Sequence, residues 1–177
     1  MKYVFLVFAI VLSFQLKSQV DISFEFQAYP TGVIPGIRVE NLHGDKSASH
    51  FRIGYNKFDH RDLGVQDEEI GDGFGFSLGY KRYFKSGHNG WHWGVKSDIW
   101  WNSVDWASLD GSTVTNSGTT KITVIQPTAE IGYLFDFENF FITPNIALGF
   151  EWNVKTDGEP TGEGAILLLG VQLGKRF

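Results

Sequence analysis

Between residues 140 and 155 the sequence sorts itself into two faces. Phe140, Ile142, Pro144, Ile146, Leu148, Phe150, Trp152 and Val154 fall on one, and Phe141, Thr143, Asn145, Ala147, Gly149, Glu151 and Asn153 on the other. Side chains of a β-strand alternate with a period of two, so a large apolar set facing a small polar set is strand patterning. Seven further runs keep the rule, at about 20–28, 33–42, 49–58, 73–84, 90–105, 121–137 and 164–177. Helical periodicity is absent from all of them. Eight such runs predict an all-β fold, and several reach the roughly 9–11 residues that a strand needs to cross a bilayer.

The connections narrow the topology. Short links at 43–48, 85–89 and 138–139 alternate with longer ones at 59–72, 107–120 and 157–163, after a compact first link near 29–32. Short turns at one end and long loops at the other predict an antiparallel up-and-down barrel, with the turns periplasmic and the loops outside. Pro35, Pro127 and Pro144 lie inside runs, where a closed barrel has no free edge to excuse a missing donor. The apolar phase also shifts in run 121–137, from Ile122 and Val124 to Ile125, Ala129, Ile131 and Tyr133. A bulge near 124–127 is the expected explanation of both.

Charge decides which face points inward. The thin face holds Glu25, Glu40, Asp98, Glu130 and Glu151 with Arg38, Arg52, Lys81, Lys96 and Arg176, whereas the greasy face shows only Arg82 and Lys175, near the short turns. A barrel of eight strands is just wide enough to be filled by side chains. Trp91, Trp93, Trp101, Trp152 and most Phe residues would overfill it, so the aromatics are expected to face lipid and the charged set to pair in the lumen. Phe84, Trp91, Trp93, Phe137 and Phe140 are expected to form the interfacial girdle beside the short turns, and Trp101 and Trp152 the one toward the loops.

Residues 1–18 read as a signal peptide. Lys2 precedes a 12-residue apolar core, YVFLVFAIVLSF, which is too short for a membrane helix, and cleavage is expected after Ser18 or one residue later. Residues 19–177 then form the barrel domain. Without Lys2 and Lys17 the 15 basic residues become 13 against 20 acidic, a charge of −7, which argues against a nucleic-acid partner. The chain has no Cys, so thiolate chemistry and disulfides are excluded.

The closing run, GAILLLGVQLGKRF, ends on Phe177. With the alternating runs and links, it makes residues 19–177 similar to the small eight-stranded outer-membrane β-barrels of the OmpA membrane-domain and OmpX type. The resemblance implies an eight-stranded antiparallel transmembrane barrel in the cell outer membrane, in contact with outer-membrane lipid and lipopolysaccharide. It also implies that Phe177 is the signal read by the barrel-assembly machinery. The function it implies is structural or cell-surface interaction around a closed polar lumen, with loops 59–72 and 107–120 as the face toward an extracellular partner. The alternatives are a narrow pore for small or hydrophobic solutes and a lipid A-modifying enzyme.

Residue chemistry adds little to the enzymatic alternative. Ser49 and His50 are adjacent but sit at a periplasmic turn, and His60 has no matching Ser motif, so no catalytic residue is assigned. His88 and His92 stand four apart around a turn, where His88 is expected to be solvated and His92 to join the lumen. No metal or cofactor is assigned: the acidic group Asp67, Glu68, Glu69 and Asp72 lacks the spacing of a calcium loop and is expected to be a solvated loop.

Overall fold

The computed structural model describes residues 19–61 and 64–177, and of Arg61 the backbone alone; the signal peptide expected over 1–18 lies outside them. Eight antiparallel strands follow one another around a closed barrel: β1 (Val20–Tyr29), β2 (Gly32–His43), β3 (Ser47–Arg61), β4 (Glu68–Tyr83), β5 (Gly90–Asp110), β6 (Thr113–Phe137), β7 (Phe140–Asp157) and β8 (Gly164–Arg176). The ring closes where β1 meets β8, from Asp21 opposite Arg176 to Ala28 opposite Leu169. Phe177 extends the seam, since its amide donates to the Val20 carbonyl at 2.8 Å and its carbonyl accepts from the Val20 amide at 3.2 Å.

Alternation sets the two surfaces as the patterning requires. Phe74, Leu78, Leu148, Leu169 and Leu173 are exposed on the outer wall, while Ser77, Lys81, Thr143, Ala147 and Gln172 are buried in the lumen. On β5 the outward face runs from Trp91 to Trp101, ten residues that rise about 25 Å at about 3.4 Å each and a tilt near 40°, the height of an outer-membrane apolar band. Above that level the outward face turns charged, with Lys57, Asp72, Asp105, Lys121 and Lys155 all exposed. Strand residues beyond this line lie above the apolar band.

Besides the link expected at 59–72, which is shortened because β3 and β4 stay paired from Asp59 opposite Ile70 to Arg61 opposite Glu68, two features depart from the sequence reading. The link expected at 107–120 is a continuation of β5 and β6, paired from Val104 opposite Thr120 to Asp110 opposite Thr113, with the turn at Gly111 (φ 63°). Its Ser, Thr and Gly content suggested a flexible loop, yet β-branched Thr suits a strand wherever a partner supplies the ladder. The second departure is that β6 has no bulge near 124–127. Its even-numbered residues point inward without interruption from Thr120 to Leu134, so Ile122 and Val124 are apolar lumen residues. The register shift between Thr123 and Val124 places the extra residue on β7, where Lys155 and Asn153 are the flanking partners. Each proline is accommodated by a gap in one ladder: Pro35 toward β3, Pro127 toward β7 and Pro144 toward β6.

Candidate functional site

The lumen is layered. At mid-height an ionic network crosses it, carried by six strands. Arg38 on β2 lies 3.5 Å from Glu25 on β1, 3.5 Å from Glu40 and 3.7 Å from Glu130 on β6. Arg52 on β3 reaches Glu25 at 3.1 Å and Asp98 on β5 at 3.5 Å, and also donates to Gln27 and to the Ile34 carbonyl. Lys81 on β4 pairs with Glu40 at 2.7 Å and Lys96 with Asp98 at 2.8 Å, while Ser77 donates to Asp98. Four acids thus face four bases, all buried. Unpaired ions in low dielectric are strongly penalised, which accounts for this balance.

An apolar layer lies on each side of the network. Toward the long loops it contains Ile34, Trp100, Ile122, Val124, Ile166 and Leu168; toward the short turns it contains Leu42, Ala48, Tyr83, Leu134 and Phe141. Trp100 joins the outer layer to the ions, donating from Nε1 to Gln126 at 2.9 Å with the Arg52 guanidinium 5.8 Å from its ring centre. Glycine makes room for it, because a methyl group at Gly75 would overlap the Trp100 ring.

Of the ten charged residues assigned to the lumen from sequence, the structure joins eight: Glu25, Arg38, Glu40, Arg52, Lys81, Lys96, Asp98 and Glu130. Arg176 stands apart at the inner mouth, bidentate to Asp21 at 2.8 Å and 3.5 Å from Asp136. Glu151 also stands apart, half-buried above the outer apolar layer and outside the ion-pair network. Asp21 was missed although it shares the inward face of Glu25 four residues on, a spacing that the alternation makes legible. His50 is bonded to Arg38 at 2.7 Å inside the lumen, and Ser49 turns instead to His43 at 2.7 Å. His88, expected in solvent, is buried beside the Tyr83 ring, and the His92 ring packs against the same ring. The aromatics Phe84, Trp91, Trp93, Trp101, Phe137, Phe140, Trp152 and Phe177 all face outward and are exposed.

At the outer rim Glu69 is the organising residue. It is fully buried and accepts from the amides of Val65 (2.8 Å), Gln66 (3.1 Å) and Gly162 (3.0 Å), with His60 Nδ1 at 3.7 Å. Asp67 accepts from the Leu109 amide at 2.6 Å. The acidic group expected as a solvated loop therefore ties the β3–β4 link to the β7–β8 link and to the β5–β6 hairpin. Glu69 lies above Asp72, outside the band. Burial would raise its carboxyl, but the His60 contact and the three amide donors outweigh this and hold it below the usual carboxylate range.

Neither a known protein family nor a curated protein sequence matches the chain. Solved structures do. The N-terminal β-barrel domain of Pseudomonas aeruginosa OprF aligns with 17% identity over 91% of this chain and 100% of that one, with a TM-score of 0.49. Neisserial surface protein A aligns with 10% identity over 90% and 96% at a TM-score of 0.48. Ail, the attachment invasion locus protein of Yersinia pestis, aligns with 10% identity over 92% and 100% at a TM-score of 0.52. In fold, this chain is an eight-stranded antiparallel barrel of the outer-membrane type.

Proposed function

We propose that the protein resides in the bacterial outer membrane after removal of residues 1–18, and that its work is done at the cell surface by the β5–β6 hairpin. Phe177 then acts as the signal for the barrel-assembly machinery, and the two aromatic girdles hold the wall against outer-membrane lipid and lipopolysaccharide. The lumen is a closed structural core. The two apolar layers enclosing the neutral ionic network support that reading, since they leave no continuous polar path for a solute.

One observation carries the surface role. β6 pairs with β7 only from Lys121 downward, so residues 113–120 present an edge on that side, above the membrane band. Natural sheets blunt such edges with charge, proline or a bulge; residues 113–120 (TVTNSGTT) contain neither charge nor proline, and the bulge at Thr115, skipped where Ser108 pairs with Asn116 and Leu109 with Val114, leaves 116–119 in regular register. An uncharged edge at the outer face suits strand addition by an extended segment of an extracellular protein. In this reading the partner loops expected at 59–72 and 107–120 act together, since Gln66 accepts from the Ser108 hydroxyl and Asp67 from the Leu109 amide.

The test has two arms. Planar-bilayer recording of refolded protein is expected to show no steady conductance; a large, weakly selective current would replace the closed core with a pore. A fluorescent extended peptide of alternating Val and Thr should bind the folded protein, and the double substitution Thr115→Lys with Ser117→Lys should abolish that binding. Undiminished binding in the double variant would remove the hairpin edge from the proposal.

A further inference from the structure

The barrel wall is not of even height. The β1–β2 turn at residues 30–31 is low, because β1 stops one residue after Ala28 pairs with Leu169, while β8 continues up to Gly164. Residues 164–168 of β8 have no ladder partner on that side. Across the gap, β3 also outruns β2, with the Asp59 amide meeting the Thr31 carbonyl at 2.8 Å as the last link. A notch is left between β8 and β3. Backbone groups at such a level are costly to leave unmatched in an apolar surrounding, so an occupant with polar groups is favoured there.

Behind the notch lies a chamber. The notch itself is a cavity of about 330 Å³ that touches the outward residues Ala165 and Leu167. It meets an inner cavity of about 20 Å³ above the apolar layer, and Tyr29, His60, Glu151 and Gly162 line both. His60 is turned to Glu69, and the Tyr29 hydroxyl donates to Asn56 at 2.7 Å. The Glu151 carboxylate has neither a hydrogen bond nor a salt bridge among the described residues. Asn102, 5% exposed, also lines this cavity, with its Oδ1 turned to Gly73 and away from it.

The unmatched group is a single acceptor, the Glu151 carboxyl. Its complement is a small cation rich in N–H donors. A volume of about 20 Å³ holds roughly one water-sized group, which admits an ammonium on a methylene stalk and rejects a sugar or a trimethylammonium. We infer that this chamber binds the primary ammonium head of a single-chain amphiphile arriving sideways from the outer leaflet over the 30–31 turn. Its alkyl chain stays along Ala165 and Leu167. The inference uses the membrane orientation proposed above and is independent of the β6 edge.

The experiment uses the full barrel in phosphatidylcholine nanodiscs, its fold first verified by the mobility shift between heated and unheated samples. Decylammonium, decyltrimethylammonium and decyl sulfate are added separately, and the amide resonances of Gly162 and Gly164 and the Asn102 side-chain resonance are followed. Saturable shifts are expected with decylammonium, at least about tenfold weaker with the trimethyl probe and absent with the sulfate. Glu151→Gln should weaken decylammonium by about tenfold or more, the loss expected for a charge-assisted hydrogen bond. Asp157→Asn, on the exposed end of β7, should leave it unchanged. If Glu151→Gln does not fold, Ala165→Trp, which fills the notch from outside, provides the same comparison. Equal shifts from all three probes, or undiminished binding in the folded variant, would mean membrane partition only and overturn the inference. A barrel that fails the mobility check in nanodiscs would count against the membrane reading itself.

Discussion

Arg52 is the residue on which the lumen turns, because it touches β1, β2 and β5 from its place on β3. Arg52→Ala would leave Glu25 and Asp98 each short of a partner. Removal of one member of a fully buried pair costs about 3–5 kcal/mol. Ile146→Ala on the lipid face should cost less, since it orphans no charge and lipid refills the space. Guanidinium unfolding of both variants in vesicles checks the order; equal losses would sink the account. Glu69 makes a separate prediction at the rim. Its carboxyl is held below the ordinary value of 4.5, so its contribution is complete above that pH and is lost as pH falls further, through the folded-state value. Amide exchange at Gly162 and Gln66 should stay slow from neutral pH to about 5, after allowance for the intrinsic rate, and rise in more acid solution. In Glu69→Gln the acid-triggered rise should vanish.

At the scale of strands and links, alternation carried most of the information. It gave eight strands, their order, and the inward set that became the ionic network. It failed where one face changes character along a strand. Ile122 and Val124 looked like a phase slip because lumen residues were expected to be polar, whereas here the lumen contains an apolar layer that also takes Trp100, Ile166 and Leu168. Link lengths misled in the opposite way, since residues 107–120 are Ser- and Thr-rich but paired. The position of Glu151 was legible as inward, but its separation from the network was not, because height along the axis depends on strand tilt. The missing cysteines allow a direct test of topology. Single Cys residues at Ser112, on the hairpin turn, and at Ser86, in the link after β4, should respectively react and not react with an impermeant thiol reagent on intact cells. The reverse pattern would invert the barrel. Deleting Phe177, which is exposed and held by the β1 seam and the Lys175 ammonium over its ring, should slow assembly far more than it lowers the final unfolding midpoint.

For the molecule as a whole, the wall and its filling divide the work. The wall contributes closed ladders, which leave β1 and β8 without an exposed edge over most of their length. The filling contributes specificity of register, since sliding any strand by one residue would turn lumen charges toward lipid. The stacking order within the lumen has a consequence for how the protein responds to its surroundings. Surface ion pairs weaken as salt rises because mobile ions crowd around them, with a screening length of about 10 Å at 0.1 M. Here the pairs sit between Trp100 and Ile166 on one side and Tyr83 and Phe141 on the other, where mobile ions do not reach. The barrel should therefore be nearly blind to salinity: its heat-induced mobility shift should occur within a few degrees at about 0.01 M and about 1 M sodium chloride. A cell surface that meets abrupt changes of ionic strength would carry a protein whose strongest charges never sense them.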